Sequence, residues 1–169
     1  MSFFGPLVAQ YFDYNTLKIM HLFGVVIFMG NIIITGWWKV MADRTGEPRV
    51  VAFAQRQVTV TDWLFTFGGV IITLIAAFGM VAHMNDNVMA EIHTERWLWW
   101  GFYLFVVSGV IWGIILVPCQ IIQARQAKVF AISGEIPTSY WMYSRIWLWF
   151  GLLAILIPLA NIYWMVVKA

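Results

Sequence analysis

The chain has 169 residues, of which 62% are hydrophobic and only 11% are charged. Because a soluble domain carries about 25% charged residues, this composition excludes a water-soluble globular protein and indicates a polytopic membrane protein that sits in lipid. The formal net charge is +2, and acidic residues interrupt the basic ones, so the charge pattern predicts no nucleic-acid partner.

Four apolar runs of the chain are long enough to cross a bilayer, whose hydrocarbon core of about 30 Å takes a helix of about 20 residues. They predict membrane helices at about 14–38, 62–83, 97–122 and 144–166. Only helices and closed barrels satisfy the backbone in lipid, and runs this continuous are typical of helices. We therefore predict an all-α fold, a four-transmembrane-helix bundle that forms a single domain over residues 1–169.

The basic residues are concentrated in the first and third connections between these helices. They are Lys39, Arg44, Arg49, Arg56, Arg125, Lys128 and Arg145. The second connection has Arg96 alone, beside three acidic residues. The positive-inside rule then places the first and third connections in the cytoplasm and both termini outside, in the orientation N-out/C-out. We expect a multi-pass protein of the bacterial inner membrane.

Capping residues and a short amphipathic pattern predict where helices begin. Asp13 or Asn15 is expected to cap the first helix. Residues 48–58 read as a short amphipathic helix on the cytoplasmic face. Residues 59–62 offer capping side chains for the second helix. Asp62 and Arg145 each begin a helix in this reading, so we expect a structural ion pair or separate caps.

Small and proline residues predict how the later helices pack. Gly109 and Gly113 have the spacing of a small-residue packing motif in the third helix. Pro118 is expected to bend the inner end of that helix. Cys119 is the single cysteine, which excludes an intrachain disulfide and favours a packing role.

One face of the first helix gathers most of its polar and small residues, at spacings of three and four. The face comprises Lys18, His21, Gly24, Phe28, Asn31 and Thr35. A charge at the centre of the bilayer costs roughly 2.5–3.5 kcal/mol, so an ionisable residue in a membrane helix suggests a functional site. A similar face of the second helix comprises Gly69, Thr73, Ala76, Gly79 and His83.

The three histidines, His21, His83 and His93, all fall on the predicted outer side. Imidazole and thioether groups are ligands of haem iron and of copper(I). The leading prediction is haem b, or a related porphyrin, bound between the first two helices. His21 is then the axial ligand, His83 a candidate second ligand and Lys18 a partner for the propionates. Gly24 and Gly79 are expected to leave room for the macrocycle.

Two alternatives remain open. The first is a copper-handling protein that uses His21 and His83 with Met80 and Met84. The second is a cofactor-free accessory subunit, in which His21 is structural and the Trp-rich faces meet a membrane-complex partner or a second copy in a homo-oligomer. No motif for hydrolysis or nucleotide chemistry is present, so whether the protein is a redox enzyme stays open.

Two resemblances bear on these alternatives. The motif Lys18-x-x-His21-Leu-Phe-Gly24-Val-Val-x-Phe-Met-Gly30 resembles the first helix of the oxygen-independent membrane protoporphyrinogen oxidases and of the copper-resistance membrane domains related to them. That resemblance implies a haem b near His21. Trp99 and Trp100 follow Trp97-Leu98, where the oxidases have a further His and Lys.

Over nearly its whole length, the chain is similar to a bacterial family of predicted integral membrane proteins of unknown function. The similarity rests on the first-helix His with its glycines, Pro118-x-Gln120, Arg145-x-Trp147 with Gly151, and Tyr163-Trp-Met165-Val-Val-Lys168. This second resemblance implies the fold and no particular reaction.

Overall fold

The computed structural model describes residues 4–168, and within them the chain forms six helices and no strand. They are α1 (Phe4–Tyr11), α2 (Tyr14–Thr45), α3 (Pro48–Ala82), α4 (Val88–Thr94), α5 (Arg96–Ser133) and α6 (Thr138–Val167). The helices α2, α3, α5 and α6 are each long and apolar enough to span a membrane. The predicted all-α bundle of four membrane helices is confirmed.

The long helices extend well beyond the apolar runs at one end of the bundle, which we call the Lys39 end; the opposite end is the His83 end. α2 continues to Thr45 and α5 to Ser133, so their predicted ends at 38 and 122 are wrong. Gly46 and Gly134 end these helices with φ of +62° and +79°, the left-handed conformation that favours glycine. These helices therefore end at a backbone signal and not where hydrophobicity falls.

The helix α3 is continuous from Pro48 to Ala82, so the separate amphipathic helix and the helix start near Asp62 are both wrong. Pro48 lies in the first turn, and no further proline or glycine interrupts the chain before Gly68. The buried residues of the first half include Val51 and Val58, and this half packs against α2 and the second half of α5. The amphipathic pattern therefore faces protein, not a membrane surface.

The bundle consists of two helix pairs. α2 packs along α3, and α5 packs along α6, whereas α2 and α6 contact each other little. The pairs are joined at the Lys39 end, where the first half of α3 packs on the second half of α5. Gly24 makes the first pair tight, because a Cβ atom there would lie 2.8 Å from the carbonyl oxygen of Gly69.

At the His83 end, α1 lies against α3. Gly5 permits this contact, since a Cβ atom there would lie 2.7 Å from the carbonyl oxygen of Phe78. Asp13 caps α2, as predicted, by accepting from the backbone amides of Asn15 and Thr16 at 3.0 and 3.1 Å. The hydrogen bonds from the hydroxyl and the amide of Thr16 stabilise the carboxylate and lower the pKa of Asp13.

The pair of α5 and α6 is held partly by polar groups next to a proline. Pro158 has no N–H to donate to the carbonyl of Ala154, one turn earlier in α6. The hydroxyl of Ser108 in α5 donates to that carbonyl instead, at 2.8 Å. By contrast, Gly109 and Gly113 do not mediate helix packing as predicted, because a Cβ atom at either position would meet no atom within 4 Å.

Candidate functional site

A cleft of about 680 Å³ lies between the two helix pairs and is lined by all four long helices. We call it the lateral cleft. Its exposed lining side chains include Ile33 and Trp37 of α2 and Leu148 and Leu152 of α6, which places its mouth between those two helices. Its walls are overwhelmingly apolar. Ligand pockets commonly have volumes of about 300–1,000 Å³, so the cleft has the size of a binding site.

A polar cluster borders the cleft, formed by the buried residues Asp62, Thr66 and Gln120 and the half-buried Asn31. The Oδ1 atom of Asp62 accepts from Asn31 Nδ2 and from Thr66 Oγ1, both at 3.0 Å. Its Oδ2 atom accepts from Gln120 Nε2 at 2.8 Å. One carboxyl group therefore links α2, α3 and α5, in the interior of a continuous helix. The expected ion pair or cap is wrong, since Arg145 is exposed and Asp62 bonds to these neutral donors instead.

Two wide, π-helical turns contribute side chains to the lining of the lateral cleft. Residues Asp62–Thr66 form one in α3, and Trp112–Leu116 form the other in α5. Pro118 accounts for the second turn, because it lacks the N–H that would bond to the carbonyl of Ile114. The rings of Phe67 and Trp112, which both line the cleft, stack at 6.2 Å between centroids. Such turns are frequent at functional sites.

A second cavity, of about 340 Å³, adjoins the lateral cleft at the Lys39 end, and we call it the basic recess. It shares Val40, Trp147 and Leu148 with the lateral cleft, so the two spaces are neighbours. Its charged lining residues are Lys39, Asp43, Arg44 and Arg145.

Lys39 is only 2% exposed, although the sequence places it at the start of a connection. Its Nζ atom donates to Asp43 Oδ2 at 3.2 Å and to the hydroxyl of Tyr140 at 2.9 Å. Ser144 Oγ also donates to Asp43, at 2.5 Å. The Tyr140 hydroxyl further lies 3.4 Å from Gln55 Oε1. Side chains from α2, α3 and α6 therefore fix the ammonium group beside the recess.

The histidines lie apart from one another. The Nδ1 atom of His21 lies 3.0 Å from the carbonyl oxygen of Thr73. Because a carbonyl only accepts, Nδ1 carries the proton and donates it, and in the neutral ring Nε2 then carries a free lone pair. The exposed His83 donates from Nε2 to the carbonyl of Phe12, at 3.0 Å. Thr73 precedes His83 by ten residues, which corresponds to about 15 Å along α3. The structure therefore does not bring His21 and His83 to one metal ion. His93 lies elsewhere, 3.1 Å from the hydroxyl of Tyr103.

The other predicted ligands do not gather around His21. Lys18 and Met84 are exposed, and Met80 packs into a small apolar cluster with Leu17. Among residues 4–168, no group of three or more His, Cys, Asp or Glu side chains is arranged to hold a metal ion.

The expected space for a macrocycle is filled by protein. A Cβ atom at Gly24 would lie 2.5 Å from Thr73 Oγ1, and one at Gly79 would lie 2.8 Å from a methyl carbon of Leu17. The expectation of room at these glycines is wrong, and a haem does not fit between α2 and α3 there.

Residues 15–169 match the DUF2269 family, whose description is predicted integral membrane protein. The chain belongs to this family. The match agrees with the second resemblance found in the sequence, and it gives no support to a link with the protoporphyrinogen oxidases or the copper-resistance domains. No curated protein and no solved structure matches the chain. The lateral cleft and the basic recess both lie within the segment that matches DUF2269.

Sequence reasoning missed both cavities. Lys39 and Asp62 stand at the ends of apolar runs, where a charge is usually read as a loop residue or a helix cap. One signal was present, since Lys39 and Asp43 have the spacing of four residues that pairs opposite charges on a helix.

Proposed function

We propose that the protein binds a membrane lipid and holds one of its acyl chains in the lateral cleft. The observation that carries the proposal is an apolar cleft of about 680 Å³ whose mouth lies between two membrane-spanning helices. A lipid chain would enter sideways from the bilayer, without passing through water.

The shape of the cleft favours a chain over a compact ligand. Its lining on α2 extends from Phe28 to Val40, which corresponds to about 18 Å along the helix. The polar side chains of the lining are also compatible with a hydrocarbon ligand, because their hydrogen-bonding groups are already paired within the protein. Thr66 donates to Asp62, and Ser108 donates to the Ala154 carbonyl. These groups therefore have little need of a polar ligand.

Photo-crosslinking tests this proposal. The protein is reconstituted in phosphatidylcholine vesicles with a small fraction of lipid that carries a diazirine in its acyl chain. After irradiation, peptide mass spectrometry locates the adducts. We expect adducts on α5 at Ser108 and Leu116, which line the cleft and which lipid around the bundle reaches poorly.

A pair of filling variants provides the control. Gly109 and Gly151 line the cleft, and a Cβ atom at either position would meet no atom within 4 Å, so Gly109→Leu with Gly151→Leu is designed to fill it. Gly30→Leu with Gly113→Leu adds the same volume in open space outside the lining. We expect the interior adducts to disappear in the first variant and to persist in the second. Equal labelling of both variants, or no interior adducts in the wild type, would refute chain binding.

We propose haem b bound through His21 as a second candidate. The specific support is the hydrogen bond from Nδ1 to the Thr73 carbonyl, which fixes the ring and leaves Nε2 able to bind a metal. Because the α2–α3 interface is closed, the group would lie on the partly exposed face of α2. Copper at His21 is the alternative at the same atom.

Visible spectra and metal analysis test this second candidate. The protein is purified in detergent from haem-replete cells, beside His21→Ala and His93→Ala. A Soret band that is lost only in His21→Ala would support haem, and stoichiometric copper without haem would favour copper. A full haem complement in His21→Ala would refute the role of His21.

A further inference from the structure

We propose that the basic recess binds the phosphate of the lipid whose chain lies in the lateral cleft, so that the ligand is an anionic phospholipid. This inference rests on the proposed function and adds the chemical class of the ligand. The first support is proximity, since the linings of the recess and the cleft share Val40, Trp147 and Leu148. A lipid whose chain lies in the cleft with its polar end toward the Lys39 end would therefore have that polar end beside the recess.

The charge of the recess fits an anion. Three of its lining residues, Lys39, Arg44 and Arg145, are cationic, and Asp43 is its one acidic lining residue. Asp43 is paired with Lys39 at 3.2 Å. Among residues 4–168, Arg44 and Arg145 take part in no ion pair and are exposed. The recess thus has a net charge of two positive units without an internal partner.

Lys39 adds a fixed cation to this charge. Its ammonium group donates to both carboxylate oxygens of Asp43, at 3.5 and 3.2 Å, and to the hydroxyl of Tyr140, at 2.9 Å. These bonds hold the charge beside the recess that Lys39 lines. Burying a charge costs several kcal/mol unless partners compensate for the lost water. An anionic ligand would supply part of that compensation.

The position of the recess suits a lipid head group. It lies where α2 ends and α6 begins, beside Trp141 and Trp147, and tryptophan is enriched where membrane meets water. The charge pattern predicts that this end is cytoplasmic, and a basic cluster on that side attracts anionic lipid. A zwitterionic lipid also has a phosphate, but its ammonium group would be repelled by Arg44 and Arg145.

Competitive photolabelling tests the inference. Vesicles contain phosphatidylglycerol and phosphatidylcholine with the same diazirine chain, each supplied in turn at an equal fraction. We expect phosphatidylglycerol to label the interior of the cleft roughly tenfold more than phosphatidylcholine, because basic residues near a membrane surface favour anionic lipid.

Two double variants separate the recess from general surface charge. Arg44→Gln with Arg145→Gln removes the two unpaired charges of the recess. Arg49→Gln with Arg56→Gln removes two other exposed charges, from α3 and outside the recess. We expect the first variant to lose the preference for phosphatidylglycerol while it keeps labelling of the cleft. The second should keep both.

The outcomes distinguish this inference from the proposed function. If both lipids label the wild-type cleft equally, the head-group site is wrong and chain binding stands. If neither lipid labels the cleft, the proposed function itself fails. Equal loss of preference in the two double variants would assign the effect to surface charge and overturn the recess. At constant ionic strength, inorganic phosphate should leave the preference in place, because it lacks the chain that holds the lipid in the cleft. Complete loss of the preference under that condition would assign the recess to a soluble anion and overturn the inference.

Discussion

At the scale of single residues, Asp62 has an unusual environment for a carboxyl group. It is 6% exposed, it accepts three hydrogen bonds from neutral side chains, and no basic group bonds to it among residues 4–168. Its three donors come from α2, α3 and α5. We infer that this one side chain fixes the relative position of three helices beside the lateral cleft.

The first prediction concerns Asp62→Leu, which leaves the side chains of Thr66 and Gln120 without their acceptor and removes one of the two acceptors of Asn31. A buried polar group without a partner costs about 1–3 kcal/mol, so we expect the free energy of unfolding to fall by about 3 kcal/mol in all. Detergent-titrated unfolding followed by circular dichroism measures the change. Asp86→Leu, at an exposed position, is the control. A loss for Asp62→Leu no larger than that of the control would refute this role.

Predictions for single residues were most accurate where helical periodicity alone determines whether a side chain is buried. The face of α2 through His21 was expected to meet protein, and Gly24, Phe28 and Thr35 are buried as that face requires. Lys18, at the N-terminal end of that face, is exposed. The burial of Lys39 was not predicted, because it depends on Tyr140, which lies 101 positions away in the chain. Local patterns contain no information about such a partner.

At the scale of elements, the close contact between α2 and α3 depends on glycines. The second prediction is that Gly24→Ala destabilises the protein by about 1–3 kcal/mol, because the new Cβ atom would lie 2.5 Å from Thr73 Oγ1 and 2.8 Å from the Gly69 carbonyl.

The matched control for this substitution lies on the same helix. Gly30→Ala meets no atom within 4 Å, and alanine favours a helix over glycine by about 1 kcal/mol. Unfolding measurements should therefore move in opposite directions for the two variants. Equal stability of the two would show that the helices do not approach as closely as described.

The third prediction concerns the carbonyl of Ala154, which Pro158 leaves free and Ser108 satisfies at 2.8 Å. Ser108→Ala should cost about 1 kcal/mol, within the range measured for hydrogen bonds between membrane helices. In a Pro158→Ala background, the residue at 158 donates to that carbonyl itself, so the same substitution should cost less. A double-mutant cycle measures the difference. An equal cost in both backgrounds would contradict this account.

The membrane-spanning helices were predictable in number and not in length. The four apolar runs are long enough to identify the crossings, because the bilayer sets their minimum length. Their continuation past the membrane depends on packing between helices, such as Phe130 of α5 against Tyr140 of α6 at 5.1 Å between ring centroids. Hydropathy alone ends a helix where charges begin, and here the charged segments remain helical.

At the scale of the whole molecule, the orientation in the membrane is the fourth prediction. Asn87 lies between α3 and α4, and Glu135 lies between α5 and α6. In intact cells, a membrane-impermeant thiol reagent should label Asn87→Cys and should label Glu135→Cys only after lysis. The wild type is the control, because its single cysteine, Cys119, is buried. The reverse pattern would invert the orientation and place the basic recess outside.

The lateral cleft could not be read from the sequence. Its volume arises from the separation of two helix pairs, and that separation depends on contacts spread over four helices. The residues that line it, such as Ile33 and Leu152, read as ordinary membrane-facing side chains. Among the predicted site residues, His21 occupies the expected face of α2, while its expected partners lie elsewhere.

The mouth of the cleft between α2 and α6 has a thermodynamic consequence. A chain that moves into it from the bilayer exchanges one hydrocarbon environment for another, so little apolar surface leaves water. The large negative heat-capacity change that marks hydrophobic association should then be small or absent. Selection among lipids would depend on the polar end of the molecule and would weaken as ionic strength rises.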